Sequence, residues 1–381
     1  MRNMARALLV AATLAAGLVS SASGQQRAED PRALVAKYQA AVAGREKVSM
    51  SVQTEMDWTS PRGNGKYTLR VLLRRDQDRL QLLGESRSLD EEGHVIPDDS
   101  LQIGRLYTKE MGYEVMGNLG KPIDFVYAIR NSDSQRKLWR EQPDYGAALE
   151  GQVPGGQHKD VAQLLAESAD LSVRDASEEV EGVSCRVVEG STPFGKVTAW
   201  IAPSLGHNAM KYVIVKKGKD LYDDQAVADQ GIREWVMELD AVKVADVGGV
   251  PVPVSGRLTL AIRMSDGKED KMVYRYSRKD IVLNPDFESM GAFQPKFPEG
   301  TRINLPGLVG RFEWRHNTIV HAADRQAKTR PWGTIWIPRF IAGAGSEGVS
   351  IASRHAFLLA GCPWGALAIS VMELADITRG Q

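Results

Sequence analysis

Glu181-Gly182-Val183-Ser184-Cys185-Arg186-Val187-Val188, then Lys196-Val197-Thr198-Ala199-Trp200-Ile201-Ala202-Pro203-Ser204-Leu205-Gly206, then Met210-Lys211-Tyr212-Val213-Ile214, is the stretch on which the fold turns. Val183, Cys185 and Val187 alternate with polar partners, as do Val197, Ala199 and Ile201, and again Met210, Tyr212 and Ile214. A period of two places one apolar set on a single sheet face. Gly190 to Phe194 and Pro203 to His207 supply the turns, so these are antiparallel hairpins. Cys185 falls in the apolar phase, where it serves as a small hydrophobe.

The same texture extends in both directions. Upstream, Met50, Val52, Thr54, Met56 and Trp58 alternate, Ser60 to Gly65 reads as a turn, and Tyr67, Leu69, Val71 and Leu73 follow on a second strand. Leu80 and Leu82 open a third after the polar turn Arg74 to Asp78, with further strands at Leu101–Thr108 and Tyr113–Met116. Downstream, long strands are expected at Arg233–Val244, Val252–Met264 and Lys271–Val282. Asp30-Pro31 starts a front helix with Leu34, Val35, Tyr38, Ala41 and Val42 on one face. Helical spacing returns near Asp133–Leu149 and His158–Ala169, around a Gly-rich loop from Gly151 to Gly156. The expected class is mainly β (α+β): a meander of antiparallel strands with a front helix and a helical insertion near 133–169.

Residues 1–24 have the form of a secretory leader. Arg2 and Arg6 precede the apolar run Ala7 to Val19, and Ser21-Ala22-Ser23-Gly24 supplies small residues before Gln25. The run is shorter than the about 20 residues of a bilayer span. Export to the periplasm or the extracellular space is therefore expected, with cleavage near Gly24.

The 381 residues carry 48 Lys+Arg against 48 Asp+Glu. This balance argues against nucleic acid as a partner, since phosphate binding calls for an excess of basic side chains. With 43% hydrophobic and 25% charged residues the chain has the composition of a folded domain. Two cysteines cannot form a disulfide scaffold.

Motifs for chemistry are weak. Gly343-Ala344-Gly345-Ser346-Glu347-Gly348 spells a dinucleotide fingerprint but lacks a βαβ setting, so no cofactor is expected. The six histidines show no metal-ligand spacing, and Glu91, Glu92, Asp98 and Asp99 read as solvated loop residues, so no metal is assigned. Cys362 could open a helix whose N-terminus lowers its thiol pKa, in faint resemblance to papain-like C39 peptidases. No Gln precedes it and no distant His and Asp follow, so no catalytic residue is assigned and the chain is read as a non-enzyme. Ala356 to Met372 is uncharged but broken by Pro363, with its basic flanks against the positive-inside rule for a membrane anchor.

The order of elements resembles the LolA-like superfamily of outer-membrane lipoprotein carriers and lipoprotein-sorting proteins. The resemblance rests on Lys47-Val48-Ser49-Met50 after the front helix, the hairpin through Gly65 and Arg74-Arg75, the central stretch quoted above, and Phe297-Pro298-Glu299-Gly300-Thr301 with Phe312-Glu313-Trp314. It spans roughly residues 30–320, and Ala202 stands where the family usually has Asp. It implies a curved antiparallel sheet forming a half-open β-barrel covered by helices and holding acyl chains. It also implies an Arg on the early strands that controls a lid, for which Arg74 and Arg75 are the nearest positions. Lining candidates are Tyr67, Leu69, Leu80, Leu82, Trp200, Met210, Tyr212 and Ile214. The implied partners are a lipid or the acyl chains of a lipoprotein, or an envelope protein, with transient membrane contact. On this reading residues 25–325 form the barrel domain and 326–381 a C-terminal tail. A sensor or interaction module on the same scaffold, without lipid cargo, is the alternative.

Overall fold

The computed structural model describes residues 30–61, 63–123, 125–130, 142–154, 159–217, 231–306, 308 and 310–322. The leader, the Gly343–Gly348 run, Cys362 and the Ala356–Met372 tail lie outside the described residues, as does the first part of the expected helix from Asp133.

A mostly antiparallel sheet of seventeen strands dominates the described residues. Its first arm is β1 (Val48–Ser60), β2 (Gly63–Arg75), β3 (Leu80–Leu89), β4 (Leu101–Tyr107), β5 (Met111–Asn118) and β6 (Phe125–Arg130), each paired with the next. The second arm follows two short strands, β7 (Ser172–Val173) and β8 (Glu178–Val180). It comprises β9 (Val183–Thr192), β10 (Gly195–Ala202), β11 (Asn208–Lys217), β12 (Ile232–Val247), β13 (Val250–Met264) and β14 (Glu269–Leu283), again a meander. β7 and β8 both pair with β9. The arms meet where β14 lies antiparallel to β1, from Val48↔Leu283 to Thr59↔Lys271. Beyond β14 the chain returns to the far edge of the first arm. There β15 (Arg302–Asn304) pairs in parallel with β6, and β16 (Phe312–Arg315) and β17 (Thr318–His321) extend the sheet. Open, curved and mainly β, the sheet is a half-open barrel, as expected.

The alternation predicted from the sequence sets the two faces. Val48, Met50, Val52, Thr54 and Met56 on β1 turn inward, as do Leu69, Val71 and Leu73 on β2, Val197, Ala199 and Ile201 on β10, and Met210, Tyr212 and Ile214 on β11. The outer face carries cross-strand ion pairs such as Arg257–Asp240 and Lys211–Glu238. This division, apolar within and charged without, is that of a sheet covered on one side. The hairpin between β1 and β2 is tighter than the six-residue turn expected, because the two strands stay in register up to Ser60↔Gly63.

Two helices close the inner face of the second arm. α1 (Pro31–Ala43) is capped by Asp30, whose carboxylate accepts from the Arg32 amide at 3.0 Å, and it buries Leu34, Val35 and Tyr38. α2 (Val161–Ala166) begins with a capping box between Asp160 and Gln163 and buries Val161, Ala162, Leu164 and Leu165. The expected helix ending at Leu149 is instead, over its described part, two 3₁₀ turns, Pro143–Tyr145 and Ala147–Glu150. Gly146 (φ +69°) and Gly151 (φ +81°) adopt the left-handed conformation at the end of each turn and stop a longer helix from forming. A further difference is β6, absent from the sequence-based reading.

Candidate functional site

The segment Pro143–Glu150 lies on the concave face, its first turn against β1 and β2 and its second against β12 and β13. The side chain of Leu149 presses onto the backbone of β13 at Gly256, where a Cβ would come within 2.6 Å of it. Tyr145 enters the apolar cluster of the first arm, with Leu69, Leu80 and Leu82. Ala148 and Leu149 join that of the second, with Met210, Tyr212 and Ile214.

Polar side chains of the sheet hold this segment from below. Thr54 Oγ1 donates to the Asp144 carbonyl at 2.5 Å, and Tyr67 donates its hydroxyl proton to the Asp144 carboxylate. Arg105 donates to the Tyr145 hydroxyl oxygen. Tyr212 Oη donates to the Ala148 carbonyl at 3.0 Å, and Arg278 Nη2 to the Gly146 carbonyl at 2.7 Å. Burial raises the Asp144 carboxyl above its ordinary range, against the bond from Tyr67 and the charge of Arg105.

Arg75 and Glu150 anchor the end of the segment. Arg75 closes the inward phase of β2 after Tyr67, Leu69, Val71 and Leu73, and it donates to one oxygen of the buried Glu150 carboxylate. Arg278, in the inward phase of β14 after Tyr274 and Tyr276, donates to the other at 3.1 Å. Arg45, just beyond α1, lies alongside, donating to Asn208 Oδ1 at 2.5 Å and to the Pro251 carbonyl at 3.2 Å, while its own carbonyl accepts from Arg75 at 3.3 Å. Burial alone would raise the Glu150 carboxyl; the charges of Arg75, Arg278 and Arg45 outweigh it and bring the pKa down to about 2. Burial pushes Arg45 and Arg278 below the usual guanidinium value.

Seven of the eight lining candidates, Tyr67, Leu69, Leu80, Leu82, Met210, Tyr212 and Ile214, stand on the inner strand phase, divided between the two apolar clusters. Trp200 occupies the opposite phase of β10, half-buried, with its indole Nε1 donating to Glu178 Oε2 at 2.7 Å and Lys211 over its ring. The inner-facing candidates are packed: Leu82, Tyr212 and Ile214 are 0% exposed. A groove of about 310 Å³ lies on the other side of the sheet, beside Ser51, Gln53, Arg70, Leu72, Ser277 and Lys279. Arg74 and Arg75, adjacent in sequence, part company, with Arg74 Nη1 donating to Gln81 Oε1 at 3.2 Å. Sequence reasoning missed Asp144, Glu150, Arg45 and Arg278. The available signal was phase, since Arg75 and Arg278 are charges in runs whose other inward members are largely apolar or aromatic.

Other chemistry-bearing groups are accounted for locally. Cys185 is a buried free thiol among apolar neighbours, and burial lifts its pKa to about 11. Asp90, Glu92 and His94 gather their ligand atoms within 4.8 Å on an exposed turn. The turn itself brings them together, through the His94 amide donating to Asp90 Oδ1 at 2.7 Å. Among the described residues, no helix is long and apolar enough to cross a membrane.

No family model matches the chain, and no curated protein matches it. Solved structures do. A DUF1329 family protein from Desulfovibrio piger is 7% identical with a TM-score of 0.36, over 67% of this chain and 92% of that one. An outer membrane lipoprotein-sorting protein domain from Vibrio parahaemolyticus is 8% identical with a TM-score of 0.34, over 68% and 94%. A chain of the Pseudomonas aeruginosa MucA/MucB complex is matched at 9% identity and a TM-score of 0.21, over 67% and 99%.

Proposed function

We propose that the concave face of the half-open barrel holds the acyl chains of a lipid or of a lipidated protein, and that the protein is a non-enzymatic carrier exported to the bacterial envelope. The carrying observation is the way segment 143–150 covers that face. An apolar face spanning both arms is covered partly by a short stretch held through polar contacts, so displacing the stretch uncovers continuous apolar surface suited to a ligand that water rejects. On this reading Tyr67, Leu69, Leu80, Leu82, Met210, Tyr212 and Ile214 line the chain-binding surface, Trp200 supports it from the outer phase of β10, and the lid-controlling arginine is Arg75, through its pair with Glu150. Residues 25–325 are the carrier domain, and 326–381 are a tail added to it.

The test is native mass spectrometry of the full chain purified from its envelope without detergent, with organic extraction of what it carries. A co-purifying acyl species, lost in Leu69→Asp, is the expected result. An apo mass with no uptake of added phospholipid or lipopeptide would overturn the reading. A second reading, a sensor or protein-interaction module without cargo, draws support from the dense packing of the inner face, and it is the reading that an apo result favours.

A further inference from the structure

Three buried guanidiniums converge on one carboxylate. Arg45, Arg75 and Arg278 are 2%, 8% and 4% exposed, and among the described residues the one carboxylate bonded to the cluster is Glu150, held by Arg75 and Arg278, with the charge of Arg45 acting on it from alongside. Their remaining partners are neutral: the carbonyls of Arg45, Gly146, Pro251 and Pro253, and Asn208 Oδ1. The buried Nε of each of the three arginines has no hydrogen-bond partner. Cations taken out of water need matching anions, because carbonyl dipoles return only part of the lost hydration. Among the described residues the cluster therefore sets three cations against one bonded carboxylate, in a place where charge is costly.

The group that supplies the single negative charge also has a telling shape. Glu150 is preceded by Ala147, Ala148 and Leu149, all buried, with Leu149 seated on Gly256 and Ala148 bonded to Tyr212. The segment thus presents an oxyanion at one end of a short apolar body, with the oxyanion at the arginines and the body along the inner face. Paired guanidiniums with planar forks suit carboxylate and phosphate oxygens.

We propose that Arg75, Arg278 and Arg45 form a receiving site for the oxyanion of an anionic amphiphile, a phosphate or carboxylate attached to an acyl chain, and that Glu150 is its built-in occupant. The inference rests on the acyl-binding reading above and adds the chemical class of the head group. Ligand entry exchanges Glu150 for an external oxyanion, and a doubly charged phosphate neutralises the cluster more fully than the single carboxylate does.

The test measures binding to the full chain, at fixed low salt, of palmitate, monopalmitoyl lysophosphatidic acid, uncharged monopalmitoylglycerol and inorganic phosphate. Both charged amphiphiles are expected to bind at least about tenfold tighter than the uncharged one. Glu150→Gln, which keeps the shape and removes the competing charge, should tighten the charged ligands about fivefold to tenfold and leave the uncharged one unchanged. Arg75→Lys, which keeps the charge and loses the fork, should weaken the charged ligands alone. Equal affinity for charged and uncharged amphiphiles, unmoved by either variant, would overturn the oxyanion site while leaving acyl binding intact. Binding of none of the amphiphiles would overturn the acyl reading itself. If inorganic phosphate then still bound, and did so more tightly in Glu150→Gln, the oxyanion site would stand with a free anion, and not a lipid head group, as its occupant.

Discussion

Over β9–β14 the covering layer meets the sheet mainly through dry side chains, Leu34, Leu149, Val153, Leu164 and Leu165 against Val197, Ile201, Tyr212 and Leu258. Over β1–β5 it meets the sheet largely through Asp144, Tyr145 and Glu150, bonded to Thr54, Tyr67, Arg105 and Arg75. Apolar burial stabilises without demanding one geometry, whereas a buried polar contact must be made in full or replaced in full. The second arm therefore carries most of the dry packing, and the polar contacts a ligand could exchange with its own gather on the first arm and on Arg278 of the adjoining β14.

The contrast can be broken most forcefully at Glu150. Replacing it with Ala leaves Arg75 and Arg278 buried without their carboxylate and should cost about 3–5 kcal/mol, read as a lower urea midpoint. The same carboxyl sets a pH dependence. With its pKa lowered to about 2 from an ordinary 4.5, its contribution is complete above pH 4.5 and is lost as the pH falls toward 2. Asp144, raised by burial, works in the opposite sense over its own range. Glu150→Gln should therefore flatten the acid limb of the stability curve.

On the dry arm, Leu165→Ala opens a cavity under α2 and should cost about 3 kcal/mol, without changing the pH profile. The smallest effect sharpens the comparison. Tyr67→Phe removes one hydrogen bond to Asp144 and should cost about 1 kcal/mol overall. In hydrogen exchange it should lower the protection of amides 145–151 while leaving those of β10 to β13 unchanged. Uniform loss of protection across both arms would mean that the segment is as firmly part of the core as the helices are.

The two arms also differed in how legible they were. In the second arm the apolar phases Val197–Ile201 and Met210–Ile214 turned inward, because a strand buried on one face must repeat every two residues, whereas on β9 Val187 pairs with Trp200 and it is Val188, opposite Ala199, that shares the inner phase. Trp200 shows the limit of reading residue type alone: its strand phase already placed it opposite Val197 and Ile201, whatever its size. The strand β6 escaped because Phe125-Val126-Tyr127-Ala128-Ile129 is apolar or aromatic in both phases, so no alternation marks it. The polar cluster was least legible. Glu150 lies 75 residues from Arg75 and 128 from Arg278, and only the folded sheet, with β14 beside β1, brings them together. A charge in an inward phase is a local sign that a distant partner exists, but local pattern does not say which.

The seam between β1 and β14 sets a condition on how the molecule is made. Each meander can form from neighbouring hairpins as the chain appears, yet β1 reaches its second partner only when residues 271–283 are available. Until then β1 is an open edge, and the inner faces of both arms lack their common boundary. Pairing across more than two hundred residues is slow to find, so a chain that appears N-terminus first spends its most aggregation-prone interval waiting for its fourteenth strand.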